Sequence, residues 1–373
     1  MRVIADLGIK FVEASADTEC DPLYQGEEYI NWWISETKRQ SEKTGVVVKN
    51  VYSGHGTYCT LGLAHTHNAA REYFKNKWVK RQAQVAKAVD AGFGFYNQAL
   101  CEDVLQSPTK YREAMDTLIS DLQEIALYGR EIGLNDLSLE QMYTPHMPPW
   151  TIRETRQFVR DIYLCGAPMY LTVDTGHMNG QQYFLRPSQE QVRDWIERRQ
   201  SGEQVRRVWL GPKAAYDIFN AAVQGSMDIR EAAQQIDALG EDYGYMFAQP
   251  EDTSIENWFR ALGRYASIVH VQQADAKSSP HWNFTPENNA KGIVDGRSVL
   301  KALAEAFSPE NDAEALPPLR EINVTIEAFM STAANVYDEI AEMEQSVAYW
   351  RQLIPYDGIA LDEAVALIER SRL

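Results

Sequence analysis

The sequence predicts an α/β protein with the architecture of a (β/α)8 barrel, because short apolar segments alternate with amphipathic helical segments along most of the chain. The chain has 373 residues, of which 45% are hydrophobic, enough to bury the core of one large barrel. Several apolar segments end in a polar or charged residue, as barrel strands often do where they reach the mouth. We therefore expect a single domain spanning residues 1–373.

Seven segments have the length, the apolar content and the flanking turn residues of strands. They are Phe11–Ala14, Val46–Ser53, Phe93–Asn97, Asp136–Met142, Tyr170–Thr175, Ile268–Gln273 and Val324–Phe329. Helical periodicity predicts helices over Asn68–Ala91, Pro108–Ile132, Ile152–Leu164, Ile255–Tyr265, Gly296–Ala306, Ser331–Leu353 and Leu361–Arg370. A closed barrel of this type needs an eighth strand. Because Met1–Gly8 is typical of the last turns of a helix, we expect either an upstream extension that supplies the first strand or a barrel that is open at one seam.

Residues 186–250 form a connection far longer than the usual link between a strand and a helix. This stretch is highly charged, and Glu190–Arg199 and Asp228–Leu239 are predicted helices within it. We expect a helical insertion that lies over the barrel mouth or provides a contact with a second copy or a partner subunit. A solvated helical excursion without either role explains the pattern equally well.

The charge and the cysteines restrict the partners and the compartment. A formal net charge of -17 and a pI near 4.9 oppose binding to nucleic acids and provide no long-range attraction to anionic membranes. Four cysteines, at positions 20, 59, 101 and 165, are too scattered for a zinc ribbon or a disulfide scaffold, so we interpret them as reduced thiols. No segment is typical of a signal peptide or a membrane span, and a cytoplasmic location is expected.

Four residues with carboxylate or imidazole side chains lie at the carboxyl ends of predicted strands, where barrel enzymes place their sites. They are Glu140, Asp174, His270 and Glu327. Taken singly, each could cap the next helix or be a hydrogen-bonded core residue. Together, buried carboxylates need a compensating charge, and this donor set suits one divalent metal ion. Mn²⁺ is the first choice, with Mg²⁺ and Co²⁺ as alternatives.

Three further histidines are candidates for contacts with a substrate. His177 follows Asp174 by three residues, so it can point at a ligand while Asp174 faces the metal. His146 follows Glu140 closely and is either a substrate contact or an ordinary loop residue. His65 precedes Thr66 and His67 in a segment that we predict to be a loop, from which His65 could reach the pocket.

A run near the end of the predicted sheet resembles a known family. It comprises His270-Val271-Gln272-Gln273-Ala274-Asp275, then His281-Trp282-Asn283-Phe284-Thr285, Asn288-Asn289 and Gly292-Ile293, and Gln345-Ser346-Val347-Ala348-Tyr349-Trp350-Arg351 follows later. These segments are similar to those of erythrulose-phosphate epimerases, within the sugar and sugar-phosphate isomerase and 3-epimerase branch of the xylose-isomerase-like TIM barrels. The resemblance covers most of the chain, but it is weak before Tyr58 and absent over residues 186–250.

The resemblance implies a TIM barrel of the xylose-isomerase-like type and a role for each candidate residue. The metal ligands would be Glu140, Asp174, His270 and Glu327, and the two glutamates would also move the proton. Apart from the resemblance, the candidate substrate-binding residues are His177, His146, His281, Gln272 and His65.

The expected function is that of a divalent-metal-dependent isomerase or epimerase in carbohydrate metabolism. It would move a proton next to the carbonyl of a ketose or ketose phosphate through an enediolate, which a divalent ion stabilises. The alternative enzyme is a metal-dependent lyase or a C-glycoside-cleaving subunit on the same barrel, and a non-catalytic sugar-binding protein is a third interpretation. The chain lacks the phosphate-binding, nucleophile and dinucleotide motifs of kinases, hydrolases and dehydrogenases. Seven histidines and the negative charge oppose a nuclease of the endonuclease IV type.

Overall fold

A computed structural model describes residues 1–53, 62–308, 316–329 and 333–370. Within these ranges, seven parallel strands form one sheet in the order of the chain. They are β1 (Phe11–Ser15), β2 (Val47–Ser53), β3 (Gly92–Phe95), β4 (Leu137–Glu140), β5 (Tyr170–Asp174), β6 (Ala266–Val271) and β7 (Asn323–Ile326). All seven predicted strands are thus confirmed, with bounds that shift by a few residues.

Helices connect the strands, because neighbouring parallel strands need a crossover connection. Those that precede residue 186 are α1 (Arg2–Asp6), α2 (Ala16–Glu19), α3 (Gly26–Thr44), α4 (Asn68–Tyr73), α5 (Lys80–Ala88), α6 (Glu102–Leu105), α7 (Pro108–Glu131), α8 (Ile152–Tyr163) and α9 (Met178–Gln181). Those that follow are α10 (Gln189–Gln200), α11 (Lys213–Val223), α12 (Ile229–Asp242), α13 (Ile255–Leu262), α14 (Pro286–Lys291), α15 (Gly296–Glu305), α16 (Val336–Arg351) and α17 (Leu361–Arg370).

Local sequence determines where several of these helices begin. The side chains of Ser107, Thr151, Ser188 and Ser254 accept hydrogen bonds from backbone N–H groups in the first turns of α7, α8, α10 and α13. Such caps satisfy donors that have no partner inside the helix. The long helix α3 was not among the predicted helices, because only a narrow stripe of it, Ile30, Trp33 and Thr37, is buried.

The strands have one apolar face and one polar face, because successive side chains point to opposite sides of a strand. The outer faces pack against the surrounding helices through buried apolar side chains that include Val51, Leu139, Leu171 and Val269. The inner faces include Asn50, Ser138 and Thr172, which are at most 1% exposed, and the Thr172 hydroxyl donates to Ser138 Oγ at 2.9 Å. The barrel interior is therefore polar below the strand ends, which bear the predicted site.

The sheet curves into a nearly closed barrel. Lys49 Nζ of β2 lies 2.6 Å from a carboxylate oxygen of Glu321, just before β7. His270 of β6 contacts Glu13 of β1 across the interior. The (β/α) barrel is therefore confirmed, and the choice between an upstream eighth strand and an open seam is not tested.

Residues 186–250 leave the barrel and return at one place, where Leu185 pairs with Ala248. Between these points, α10, α11 and α12 pack around their own apolar cluster. The returning segment packs against the loop after β3 through Met246 and Phe247. An insertion that contacts a second copy or a partner subunit stays a prediction, as does the division into one domain with an insertion.

Three of the four cysteines lie within the described residues. Cys20, Cys101 and Cys165 are free, and Cys59 lies outside the described residues. None of the described helices combines the length and the apolar character that crossing a membrane would require.

Candidate functional site

The four predicted strand-end residues converge inside the barrel mouth. Glu140 and Asp174 are the last residues of β4 and β5, His270 lies in β6, and Glu327 directly follows β7. His270 Nδ1 is 3.4 Å from Glu140 Oε1 and 3.3 Å from Glu327 Oε2. One donor atom each from Glu140, Asp174 and His270 lie within 4.8 Å of one another. The side chains of Glu140, Asp174 and His270 are therefore close enough to contact one ion, and Glu327 lies next to His270.

The donor atoms of this cluster fit a divalent cation. His270 Nδ1 is buried and has no hydrogen-bond partner among the described residues, although two carboxylates face it. The other ring nitrogen, Nε2, lies 2.7 Å from Glu13 Oε1. Burying several carboxylates together with a ring nitrogen that makes no hydrogen bond among the described residues is costly. A cation bound by oxygen and imidazole donors would satisfy both kinds of group.

Electrostatic interactions shift the pKa values of three of these groups. Burial opposes the charged form of His270, but Glu327 and Glu13 attract it and raise the pKa of His270 well above its usual value. Burial raises the pKa of Glu140, against the attraction of His177 and His270. Burial would also raise the pKa of Glu327, but His270 and His281 lower it well below its usual value. Positive charge is therefore strongly favoured at the centre of the cluster.

Two histidines border the cluster with their Nε2 atoms directed at Asp174. Nδ1 of His177 lies 2.8 Å from the Gln141 carbonyl oxygen, and Nδ1 of His281 lies 3.0 Å from the Ser279 carbonyl oxygen. In a neutral His177 ring this contact places the proton on Nδ1 and leaves Nε2 as an acceptor. Burial opposes the charged form of His281, but Glu327 and Asp174 raise its pKa, which favours a proton on its Nε2 as well. The two Nε2 atoms are 3.9 Å and 3.8 Å from Asp174 Oδ2. The His177 ring could therefore accept a hydrogen bond from a sugar hydroxyl, and the His281 ring could donate one.

The position of His281 is fixed by several contacts. Its backbone φ of 53° lies in the left-handed region, which a residue with a side chain rarely adopts. Its ring stacks on Phe329, with centroids 3.9 Å apart, and its Nε2 lies 3.4 Å from Glu327 Oε2. Its backbone N–H donates to Gln272 Oε1 at 2.7 Å. These contacts hold the ring at the edge of the cluster.

The side-chain amide of Gln272 forms hydrogen bonds with Asp174 and His281. Gln272 Nε2 lies 2.8 Å from each carboxylate oxygen of Asp174, and its Oε1 accepts from the backbone N–H of His281. Both ends of the amide are therefore engaged with other candidate residues. The predicted contact of Gln272 with a substrate stays a prediction.

The contacts of the two remaining predicted residues are local. His146 Nδ1 lies 3.0 Å from the Leu100 carbonyl oxygen, and its side chain is 38% exposed. His65 Nδ1 accepts from the backbone N–H of His67 at 2.9 Å. The His65 ring thus contacts its own loop, and the His146 ring contacts the loop after β3. The predicted substrate contacts of both residues stay predictions.

Sequence reasoning missed two residues that touch the cluster. Glu13 of β1 contacts His270, and the Tyr52 hydroxyl of β2 donates to Glu140 Oε2. The available signal was a charged residue in the middle of the apolar strand Phe11–Ser15. That signal is weak, because such a residue usually lies on an exposed face.

One family model covers most of the chain. The model described as xylose isomerase-like TIM barrel matches residues 1–308. A D-erythrulose 1-phosphate 3-epimerase of Brucella abortus (strain 2308) is 29% identical over 103 residues, which are 28% of this chain and 30% of that enzyme. The match thus spans less than a third of the length of that relative.

Solved structures share the fold at low sequence identity. A protein of Rhodospirillum rubrum ATCC 11170 that is assigned as a xylose isomerase has a TM-score of 0.64 and 15% identity, over 93% of this chain and 90% of the other. An L-ribulose 3-epimerase has a TM-score of 0.55 and 14% identity, over 100% of this chain and 90% of the other. At these identities the likeness concerns the fold alone.

Proposed function

Since the chain belongs to the xylose isomerase-like TIM barrel family, we propose that it is a metal-dependent sugar isomerase or epimerase. Its reaction would move a proton on a carbon next to the carbonyl of a ketose or ketose phosphate. The observation that carries the proposal is the buried Nδ1 of His270, which makes no hydrogen bond among the described residues and lies 3.4 Å and 3.3 Å from the carboxylates of Glu140 and Glu327. Glu140, Asp174, His270 and Glu327 would hold the cation, with Mn²⁺ as the first choice because these donors are mostly hard oxygens.

The cation would polarise the sugar carbonyl and stabilise the negative charge that develops on the substrate oxygens. Glu140 and Glu327 come from different strands and flank the same nitrogen, at 3.4 Å and 3.3 Å. One carboxylate can therefore remove the proton next to the carbonyl while the other returns a proton. Return to the opposite face of the same carbon gives the epimer, and return to the neighbouring carbon gives the aldose.

The residues around the cluster would bind and orient the sugar. His177 presents Nε2 as an acceptor and would receive a hydrogen bond from a substrate hydroxyl, whereas His281 would donate one from Nε2. Gln272 would hold both Asp174 and His281 in place through its amide. The exposed face of Phe329, which stacks on His281, would border the entrance and exclude water from one side of the sugar.

The substrate is to be sought among both phosphorylated and free ketoses. The Brucella relative is named for D-erythrulose 1-phosphate, whereas the structural relative with a TM-score of 0.55 is named for L-ribulose. We propose a small keto sugar of either kind as the partner. A cytoplasmic location belongs to the same proposal.

Conversion of a ketose panel tests this function. Metal-stripped protein is reloaded with Mn²⁺, Mg²⁺ or Co²⁺ and incubated with ketoses and ketose phosphates, and the products are separated by chromatography. We expect one or more sugars to yield an epimer or an aldose, loss of turnover with a chelator, and recovery with Mn²⁺. Products that have lost water or an attached group would instead indicate the lyase. No conversion of any sugar by fully loaded protein would count against the proposal.

A further inference from the structure

Glu13 is a carboxylate of β1 that lies inside the barrel with both oxygens engaged. Its Oε1 lies 2.7 Å from His270 Nε2, and its Oε2 accepts from Asn50 Nδ2 at 2.7 Å. The Glu13 side chain is only 10% exposed and His270 is fully buried. Asn50, Glu13 and His270 therefore form a continuous hydrogen-bonded chain that runs from β2 through β1 to β6.

This chain determines which nitrogen of His270 faces the candidate metal ligands. A carboxylate that accepts from Nε2–H holds a proton on that nitrogen. Nδ1, the opposite nitrogen, then faces Glu140 and Glu327. The ring is also held from the side, since Tyr52 contacts it edge-on with centroids 4.9 Å apart. Both the orientation and the protonation of the ring thus depend on neighbours that are not themselves placed as ligands.

The barrel leaves room for this chain at a glycine of β3. A Cβ added to Gly94 would lie 3.1 Å from Asn50 Nδ2, 2.9 Å from the Tyr52 ring and 2.8 Å from Ser138 Oγ. Real Cβ atoms essentially never lie below 3.0 Å from a neighbour. Glycine at this position therefore allows Asn50 to approach Glu13 and Tyr52 to approach Glu140.

We infer that Glu13 is a positioning residue that fixes His270 with its proton on Nε2 and so presents Nδ1 to the divalent cation. The inference rests on the proposed function, because it assigns Glu13 a role in the same cation site. Glu13 does not contact the cation in this assignment, and it acts through His270. Its removal should therefore weaken cation binding without removing a ligand.

Affinity for Mn²⁺ tests the inference in three variants of the full chain. A fluorescent chelator that competes for Mn²⁺ gives the Kd of the wild type, Glu13→Ala, Glu13→Gln and the control Glu19→Gln. Loss of a carboxylate partner of a metal-binding histidine typically weakens affinity by roughly 10–100-fold, and we expect this loss in Glu13→Ala. We expect a smaller loss in Glu13→Gln, because the carbonyl oxygen of the substituted amide can still accept from His270. Asn50 Oδ1, which has no partner among the described residues, could then accept from the new amide N–H.

Glu19 is a matched control because it also lies near the end of β1 and its carboxylate is also engaged. It accepts from the Ser15 backbone N–H and from Trp33 Nε1, and neither contact leads to His270. We expect Glu19→Gln to bind Mn²⁺ as the wild type does. Thermal unfolding of the metal-free proteins shows whether each variant folds, and Glu13→Gln decides the test if Glu13→Ala does not fold.

A second measurement shows directly which nitrogen of the His270 ring is protonated. In protein labelled with ¹⁵N-histidine and loaded with Zn²⁺, long-range ¹H–¹⁵N spectra show which nitrogen of His270 carries the proton. We expect a slowly exchanging Nε2 proton in the wild type, and its rapid exchange in Glu13→Ala. Wild-type Mn²⁺ affinity in both Glu13 variants would overturn the role of Glu13 and leave the proposed function standing. A wild-type protein that binds no divalent ion would overturn both.

Discussion

Glu140→Gln and Glu327→Gln are each expected to lower sugar turnover by roughly 10²–10⁴-fold, the contribution of a positioned general acid or base. Glutamine keeps the shape of the side chain and an oxygen donor, but it cannot accept the substrate proton. The carboxylates of both residues lie next to Nδ1 of His270. Each substitution therefore removes one of the two carboxylates beside that nitrogen. The measurement is turnover at saturating Mn²⁺, with the bound metal determined in the same samples.

A buried glutamate elsewhere provides the matched control. Glu154 accepts from the Tyr111 hydroxyl and from the Trp150 backbone N–H, and it is not one of the residues that converge at the barrel mouth. Glu154→Gln should retain turnover within a few-fold of the wild type. Near-normal turnover in both Glu140→Gln and Glu327→Gln would refute proton transfer by two carboxylates. Loss in only one of them would favour an isomerase or a lyase with a single base.

The two variants should also differ from each other if the enzyme is an epimerase. Each carboxylate then faces one side of the reacting carbon, so each variant should lose hydrogen exchange from one epimer more than from the other. The measurement is the rate of hydrogen wash-out from each purified epimer. Equal losses from both epimers in both variants would contradict this arrangement.

Asp174→Asn and His270→Ala are expected to abolish metal binding, whereas the wild type purified without chelator should contain about one divalent ion per chain. One residue supplies a carboxylate and the other the single imidazole of the donor set. Elemental analysis of purified protein gives the occupancy. Asp252→Asn and His146→Ala are suitable controls, because Asp252 caps backbone N–H groups and His146 contacts Leu100. Full metal occupancy in both Asp174→Asn and His270→Ala would show that the site lies elsewhere.

The strands and the convergence of four side chains follow from short-range patterns. Apolar segments that end in a charged residue predict both a strand and the edge at which it ends, and parallel barrel strands bring those ends together. The convergence of Glu140, Asp174 and His270 could therefore be predicted without coordinates. The position of Glu327 at a strand end could be predicted for the same reason, although Glu327 lies just beyond β7 rather than within it.

The residues that support the cluster could not be predicted in the same way. Whether Glu13 points inward depends on the register between β1 and β2, which shifts between Val12 and Glu13. A one-residue change of register turns a side chain to the other face. Likewise, the contact of Tyr52 with Glu140 joins residues far apart in the chain, and no local pattern indicates it.

Loop residues were the least predictable part of the site. His146 lies close in sequence to Glu140, yet its ring contacts the loop after β3. The contact of Gln272 with a substrate stays a prediction, and the contacts of its amide with Asp174 and His281 were not predicted. The direction of a loop side chain depends on tertiary contacts, whereas that of a strand residue follows from the alternation of faces.

Incorporation of solvent deuterium is the most direct test of proton movement next to a sugar carbonyl. Mn²⁺-loaded protein in heavy water is incubated with the ketose or ketose phosphate that it converts, and the product is examined by NMR and mass spectrometry. We predict deuterium on the carbon next to the carbonyl, none with metal-stripped protein, and a greatly reduced rate in Glu140→Gln and Glu327→Gln. Conversion of the sugar without any deuterium incorporation would contradict the account. The hydrogen would then have moved without becoming a solvent-exchangeable proton on Glu140 or Glu327.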